Sequence, residues 1–380
     1  MQIALTDGRV LLDHGFADGL AVIVDDADIA AVMPVADLPT GIARQPLDGR
    51  MLVPGFIDTQ VNGGGDRLFN DDPSVATIAA IGAAHRRFGT AGFLPTLISD
   101  DLSTVRTAVA AVEAAIRQGV PGVLGIHIEG PFLNVSRRGV HHADKIIKLD
   151  EEGFAALTGP TNGRTLVTLA PERTTPEMIG RLVAAGVIVA AGHTNGDYAT
   201  IRAGLDAGVT GFTHLFNAMS PLTSRAPGAV GAALEDVHSW CGLIVDGHHV
   251  DPVTLRLAMR CKPRNRFMLV TDAMPSVGSD SKSFMLQGEA ITAAGGICVN
   301  ADGTLAGSDL DMAGAVRNAV AMLDVDIAEA ARMASRYPAA FLRLDGRYGR
   351  IAAGYRASLV ELDEGLKVQR TWIDGIPDAD

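Results

Sequence analysis

The sequence predicts an α/β protein, a (β/α)8 barrel of the TIM type joined to a small β-sandwich formed from both chain termini. Three observations predict it. Between about residues 53 and 348, short apolar runs alternate with amphipathic stretches, and the strand-like runs number eight. Residues 1–52 and 349–380 instead carry short β-like pieces with turn residues between them, too little apolar surface in either for a core of its own. Finally, Glu129, His193, His214 and Asp272 each sit where an apolar run stops. Residues at strand C-termini converge only if the strands lie parallel and side by side.

Taken in order, GLAVIVDD and DIAAVMPV supply strands at the N-terminus, and GRIAAGYRASLVELDEGLKVQRTWIDG supplies their partners at the C-terminus. They are expected to form one antiparallel sandwich. The barrel strands are LVPGFIDTQ, GFLPTLI, VLGIHIEG, TLVTLA, VIVAAGHT, GFTHLF, CGLIVDG and RFMLVTDA. Helical patterns fill most of the gaps: SVATIAAIGAAHRRFG, DLSTVRTAVAAVEAAIRQG, TTPEMIGRLVAAG, DYATIRAGLDAG and DPVTLRLAMR. Several begin at Ser, Thr or Asp and end at Gly, as helix termini prefer. Asp280 to Gly303 breaks the alternation with a β-like insertion, after which DLDMAGAVRNAVAMLDVD resumes as a helix.

Composition narrows the function. With 380 residues the chain exceeds the size at which one core stops growing, which fits a large domain plus a small companion. A net charge of −12 argues against binding nucleic acid by bulk electrostatics, so an anionic substrate would need local Arg and His. Cys241, Cys261 and Cys298 show no CxxC spacing and read as reduced structural thiols. The N-terminus lacks the pattern of a signal peptide, and the apolar stretch from Leu182 is too short to span a bilayer. The expectation is a soluble cytoplasmic protein with no membrane partner.

Glu129, His193 and His214 make a His₂Glu donor set of the kind that holds a catalytic divalent ion while leaving one position for water. Zn²⁺ is the default for these donors, with Fe²⁺ or Co²⁺ as alternatives. Asp272, beside such an ion, is placed to take a proton from water and return it to a leaving group. Two histidine pairs are ambiguous: His141 and His142 in GVHH, and His248 and His249 in DGHHVD. Arg225 in SRAPG is equally readable as an anion anchor or a solvated surface charge. Asn217 follows His214 in a turn whose amides suit an oxyanion or phosphate, and Gly307 in GTLAGSD offers a tight backbone approach or a simple turn.

Together the strings PGFIDTQVNGGG, HIEGPFLN, GVHH, AGHTN, THLFNAM, DGHHVD, LVTDAM and LAGS resemble the amidohydrolase superfamily, and within it the N-acetylglucosamine-6-phosphate deacetylase family. The resemblance runs in order from residue 54 to about 308. It implies metal-dependent hydrolysis of the N-acetyl group of N-acetyl-D-glucosamine 6-phosphate, in amino-sugar catabolism or cell-wall recycling. It also implies Glu129, His193 and His214 as metal ligands and Asp272 as acid/base. His141 would meet the acetamido carbonyl or the sugar, while Asn217, the Ala218 backbone, Arg225, His249 and Gly307 would bind substrate. A homodimer with Arg225 and His249 near the interface is implied as well. One departure stands out: the superfamily's HxH at the end of strand one is here Gln60 and Asn62. Amides are poor zinc ligands, so one tightly bound ion is expected.

Overall fold

The computed structural model describes residues 2–159 and 162–378. Eight parallel strands pair in chain order: Phe56–Val61, Thr90–Ile98, Gly125–Glu129, Arg164–Leu169, Ile188–Ala191, Gly211–Phe212, Trp240–Leu243 and Phe267–Leu269. The two ends meet. Val61 bridges Ala273 in parallel, the Asp272 N–H donates to the Gln60 carbonyl at 3.0 Å, and the Asn62 N–H donates to that of Ala273 at 3.0 Å. The eight runs of the sequence are thus the staves of a nearly closed barrel. The first run proves to serve two sheets: Met51–Pro54 pairs in the terminal sandwich, and the barrel strand starts at Phe56. Gly55 makes the switch, since a Cβ there would sit 2.5 Å from that of Ala91.

The helices Val75–Arg86, Leu102–Arg117, Pro176–Ala184, Tyr198–Asp206, Pro252–Cys261 and Met312–Met322 fall on the expected patterns. Ser74, Thr175, Asp197, Asp251 and Asp311 each accept a backbone N–H of the first turn and so satisfy an otherwise orphaned donor. Asp101 occupies the same position ahead of Leu102 without such a bond. Four further helices escaped the pattern: Glu151–Leu157, Gly228–Glu235, Ile327–Ala334 and Arg336–Phe341. All are short. Gly228–Glu235 contains two glycines and starts at Pro227 with no side-chain cap, so nothing local announces it.

Inside the barrel, side chains alternate in and out along each strand and stack in layers. The lowest layer is apolar, with Ile57, Leu94, Leu124, Leu166, Ile188 and Met268 closed off by Phe341 and Leu342. Above it lies a buried polar layer. His127 Nε2 bonds Thr168 Oγ1 at 2.8 Å, and Thr168 in turn meets Thr213 Oγ1 at 2.6 Å. Two residues beyond His127 on the same strand is Glu129, so the next layer up is the barrel mouth.

The termini form two sheets around Leu5, Val10, Val22, Leu52, Leu359 and Trp372. One has four strands and lies wholly in the first 46 residues; the other has six and combines Arg9–Leu12, Gly15–Ala17 and Met51–Pro54 with Leu359–Leu362, Val368–Ile373 and Ile376–Pro377. The expected purely antiparallel pattern needs correction. Gln2–Thr6 pairs in parallel with Ala43–Pro46, and Arg9–Leu12 with Met51–Pro54. The chain crosses between sheets instead of folding as successive hairpins, and it returns to each first strand in the same direction. The insertion is a four-stranded sheet, Ser283–Leu286, Glu289–Ala294, Ile297–Val299 and Leu305–Ser308, whose last strand joins the barrel rim through the Ala273–Ser308 bridge. Among the described residues, no helix is long and apolar enough to cross a membrane.

Candidate metal and catalytic centre

The mouth of the barrel contains a pocket of about 230 Å³ lined by Asn62, Glu129, His141, His193, His214, Asn217, Ala218, His249, Asp272 and Gly307, with Ile98, Gly139, Val140, Met274, Thr304 and Leu305 completing its wall. Of the residues that the resemblance assigns to the site, only Arg225 is absent from this lining. It is exposed on the segment before helix Gly228–Glu235.

The three pocket residues that lie just past strand ends stand in the left-handed region, His193 at φ 46°, His214 at φ 34° and Asp272 at φ 53°. Such a conformation is costly for a residue with a Cβ, on the order of 1 kcal/mol or more each. Here it turns the chain off the end of a strand while the side chain stays aimed over the barrel axis.

Glu129, His193 and His214 bring one donor atom each within 4.8 Å of one another, and all three are buried. Glu129 Oε1 lies 3.3 Å from His193 Nε2 and 3.0 Å from His214 Nε2, and the two imidazole nitrogens are 3.0 Å apart. The tautomer of His193 follows from its other nitrogen. Nδ1 is 2.8 Å from the Arg137 carbonyl, which only accepts, so Nδ1 carries the proton and Nε2 presents a lone pair. That lone pair faces a carboxylate oxygen and a second ring nitrogen, an arrangement that a cation resolves. A tetrahedral ion with bonds of about 2.0–2.2 Å holds its donors roughly 3.3–3.5 Å apart, close to these spacings. Burial alone would raise the Glu129 carboxyl, but its close contacts with the two imidazoles outweigh it and hold it well below the usual range. The set therefore fits a divalent ion, and it is the one such cluster found among the described residues.

Asp272 lies beside this set. Burial, reinforced by the charge on Glu129, lifts its carboxyl to about 6. Its Oδ1 accepts the Asn62 amide at 2.6 Å and the Gln60 amide at 3.1 Å, and the Gln60 amide also reaches both Glu129 oxygens at 3.1 Å. The two amides in the HxH positions are thus hydrogen-bond donors to the site's carboxylates. Beneath them Asp58, fully buried, accepts from the Gln60 N–H at 3.1 Å and the Thr271 hydroxyl, tying the first strand to the residue before Asp272. Burial raises the Asp58 carboxyl to about 7.

The histidine ambiguities resolve by placement. His141 is buried in the pocket, whereas His142 is exposed and its Nε2 contacts the Gln287 carbonyl at 2.7 Å. The Ser99 N–H donates to His141 Nδ1 at 3.2 Å, which leaves the ring proton on Nε2. Burial lowers His141 to about 3, so it is a neutral donor. His249 lines the pocket and its Nδ1 sits 2.6 Å from Asp246 Oδ2, while His248 is exposed. Gly307, at φ 63°, is required: a Cβ would lie 2.7 Å from Met274 and 2.8 Å from the Asp272 carbonyl. Asn217 closes its turn by donating to the His214 carbonyl at 3.1 Å.

Sequence reasoning missed the residues that orient others. Asp246 had a readable signal, since it lies three residues before His249 in DGHHVD. Ser99, the Arg137 carbonyl and Asp58 had none, because they act through bonds between strands and loops distant in the chain. All three cysteines are free, Cys241 and Cys298 buried and Cys261 exposed.

Known proteins fit this geometry. The N-acetylgalactosamine-6-phosphate deacetylase of Shewanella sp. (strain ANA-3) is 42% identical over 374 residues, covering 98% of this chain and 95% of the relative. The crystal structure of N-acetylglucosamine-6-phosphate deacetylase from Pasteurella multocida superposes with a TM-score of 0.96 at 34% identity, over 100% of both chains. A mutant N-acetyl-D-glucosamine-6-phosphate deacetylase from Mycobacterium smegmatis, in complex with N-acetyl-D-glucosamine 6-phosphate, does so with a TM-score of 0.90 at 32% identity, over 99% of this chain and 98% of that one. Residues 3–52 match the NagA composite domain. Residues 51–376 match the Amidohydrolase family, and the chain belongs to it.

Proposed function

We propose that the protein hydrolyses the N-acetyl group of N-acetyl-D-glucosamine 6-phosphate, giving D-glucosamine 6-phosphate and acetate, in amino-sugar catabolism or cell-wall recycling. The observation that carries this reading is one pocket holding a His₂Glu cation site, a carboxylate lifted to about 6 and a neutral imidazole donor. Amide hydrolysis needs those three functions: an electrophilic centre, a proton carrier and an oxyanion donor.

Glu129, His193 and His214 would hold one divalent ion, Zn²⁺ by preference with Fe²⁺ or Co²⁺ compatible. When bound, that ion supplies Lewis acidity to the attacking water and the amide carbonyl. Asp272, ionised at neutral pH, accepts the water proton on Oδ2, because Oδ1 is taken by Gln60 and Asn62. His141 Nε2–H donates to the carbonyl oxygen as negative charge develops on it. Asp272 then returns the proton to the amine nitrogen as the C–N bond breaks. His249, Asn217, the Ala218 backbone and Gly307 bind the sugar phosphate. No nitrogen lone pair stands at Gln60 or Asn62, so a second ion has no imidazole to hold it.

A second reading is the C4 epimer, N-acetylgalactosamine 6-phosphate, favoured by the name of the 42% identical relative. Acetate release from the two epimeric sugar phosphates and from unphosphorylated N-acetylglucosamine, with metal counted per subunit, tests both. Preference for the galacto epimer rejects the first substrate. Equal turnover of the unphosphorylated sugar rejects phosphate recognition.

We also propose a cytoplasmic homodimer in which Arg225 serves the neighbouring subunit's pocket. Arg225 lies outside its own pocket, three residues after Leu222, which with Phe216, Leu234 and Leu257 bounds an apolar hollow of about 350 Å³; Leu222 and Leu257 are each 55% exposed. Mixing Arg225→Gln with Asp272→Asn protein tests it. Hybrid dimers regain activity if Arg225 acts across the interface and stay inactive if it acts within its own chain.

A further inference from the structure

A second cavity, of about 260 Å³, opens at the seam between sandwich and barrel and shares no lining residue with the barrel-mouth pocket. Its charge runs against that of the chain. In a protein of net charge −12, three guanidiniums, Arg332, Arg336 and Arg350, line it together with His14 and a single carboxylate, Asp13. Asp13 is stretched between two of them: Arg336 Nη1 donates to Oδ1 at 3.2 Å and Arg350 Nη1 to Oδ2 at 2.9 Å. Arg332 Nη2 donates to the Asp13 carbonyl at 3.2 Å, and its charge is met by Glu329 at 3.5 Å. Even with Glu329 credited, one positive charge is unmatched.

The donors tell the same story. Nε and Nη2 of Arg336 and of Arg350 make no hydrogen bond among the described residues, and Arg350 Nε is shielded from solvent as well. A guanidinium presents paired N–H groups that match a carboxylate or phosphate two at a time. Asp13 uses one N–H of each fork and leaves the rest of both forks open.

We propose that this cavity is a binding site for a small phosphate-class dianion, inorganic phosphate or a compact phosphomonoester, separate from the site at the barrel mouth. Asp13 and His14 come from the sandwich hairpin, whereas Arg332 and Arg336 come from the helices that follow the eighth barrel strand. An occupant bonded to both walls clamps sandwich to barrel, and it stabilises the whole chain in proportion to its concentration over its dissociation constant.

Hydrogen–deuterium exchange of the full chain, with and without millimolar inorganic phosphate, tests this locally. Slowed exchange in peptides covering residues 9–17 and 346–355 is expected in the wild type, with loss of that protection in Arg336→Gln and Arg350→Gln. Because those variants also cut the bridges to Asp13, Asp13→Asn is the sharper probe. It removes the competing negative charge, so half-protection should shift to lower phosphate concentration. A parallel arm with glucosamine 6-phosphate separates the sources: protection by phosphate alone assigns the free ion, and protection by both assigns a phosphomonoester site. Unchanged exchange in these peptides with either probe overturns the proposal. So does a phosphate response in Asp13→Asn no stronger than in wild type, which marks an adventitious ion only.

Discussion

Replacing Asp272 with Asn isolates the proton carrier with little disturbance around it. In the native site Oδ1 accepts the Asn62 and Gln60 amides at 2.6 and 3.1 Å, and an asparagine carboxamide oxygen keeps both bonds. What changes is Oδ2, which becomes an NH₂ group unable to take a proton. The carboxylate acts first as base and then as acid in consecutive steps, so the observed rate loses the contribution to whichever step limits, not the product of the two. General acid–base catalysis contributes typically 10²–10⁴-fold, and the expected fall in kcat is therefore on the order of 10³, about 4 kcal/mol. Stability should move the other way. A carboxyl lifted from 3.8 to about 6 by burial is easier to ionise in the unfolded chain than in the folded one. Stability from this group is full below the unfolded value and falls as pH rises through that window. At neutral pH the penalty in cation-free protein is about 3 kcal/mol, and the neutral asparagine removes it. Acetate release, metal content per subunit and melting of the chelated protein form the assay. The expected outcome is a kcat lower by about three decades, unchanged metal content and a higher melting temperature for the metal-free variant. Turnover within tenfold of wild type at full metal content would refute the assignment of Asp272 as the proton carrier.

Other outcomes follow from the same geometry. Activity should fall as pH drops through about 6 or below, because Asp272 must be ionised to accept a proton and protonation removes it; a pH–kcat profile flat to pH 4.5 contradicts this. Asn62→Leu removes the 2.6 Å bond to Asp272, a charged-group interaction worth roughly 1.5–3 kcal/mol, and should lower kcat about tenfold or more while shifting the acid limb upward. Glu129→Gln should lose most bound metal by elemental analysis, since it removes the only anionic ligand, whereas His142→Ala and His248→Ala should keep both metal and activity. Gly307→Ala places a Cβ 2.8 Å from the Asp272 carbonyl at a positive φ; a destabilisation of about 2 kcal/mol or more is expected in denaturant titration.

The barrel was legible because its signal is local. Each strand is a short apolar run, and the alternation of run and amphipathic stretch dictates the architecture whatever the long-range details. The buried Glu129, His193 and His214 cluster was legible for the same reason, since a strand-end polar residue carries its address with it. Pairing direction in the terminal sandwich was not, because Gln2–Thr6 and Ala43–Pro46 are joined by chain that crosses over the sheet, and no local turn residue records which way it returns. The orienting groups were illegible too. Nothing near Ser99 in the sequence says that its N–H will meet His141, yet that bond decides which ring nitrogen carries the proton.

The change of HxH to Gln60 and Asn62 carries the deepest consequence for the chemistry. An imidazole at either place would present a lone pair able to ligate a second cation. An amide presents N–H groups, and here these point at Asp272 and Glu129, two carboxylates that repel one another. Burial and the Glu129 charge raise Asp272, while His214, His249 and then the Asn62 bond pull it back. The result, in the cation-free protein, is a carboxylate near 6, ionised at neutral pH. With a second cation in place of those amides, the same carboxylate would be a ligand of low basicity and a weaker proton carrier. In the proposed one-ion reading, losing the imidazoles at strand one is thus what allows Asp272 to serve as both base and acid. Restoring them as Gln60→His with Asn62→His should therefore raise metal stoichiometry and lower kcat together, and a double variant that gains metal at undiminished kcat would break that link.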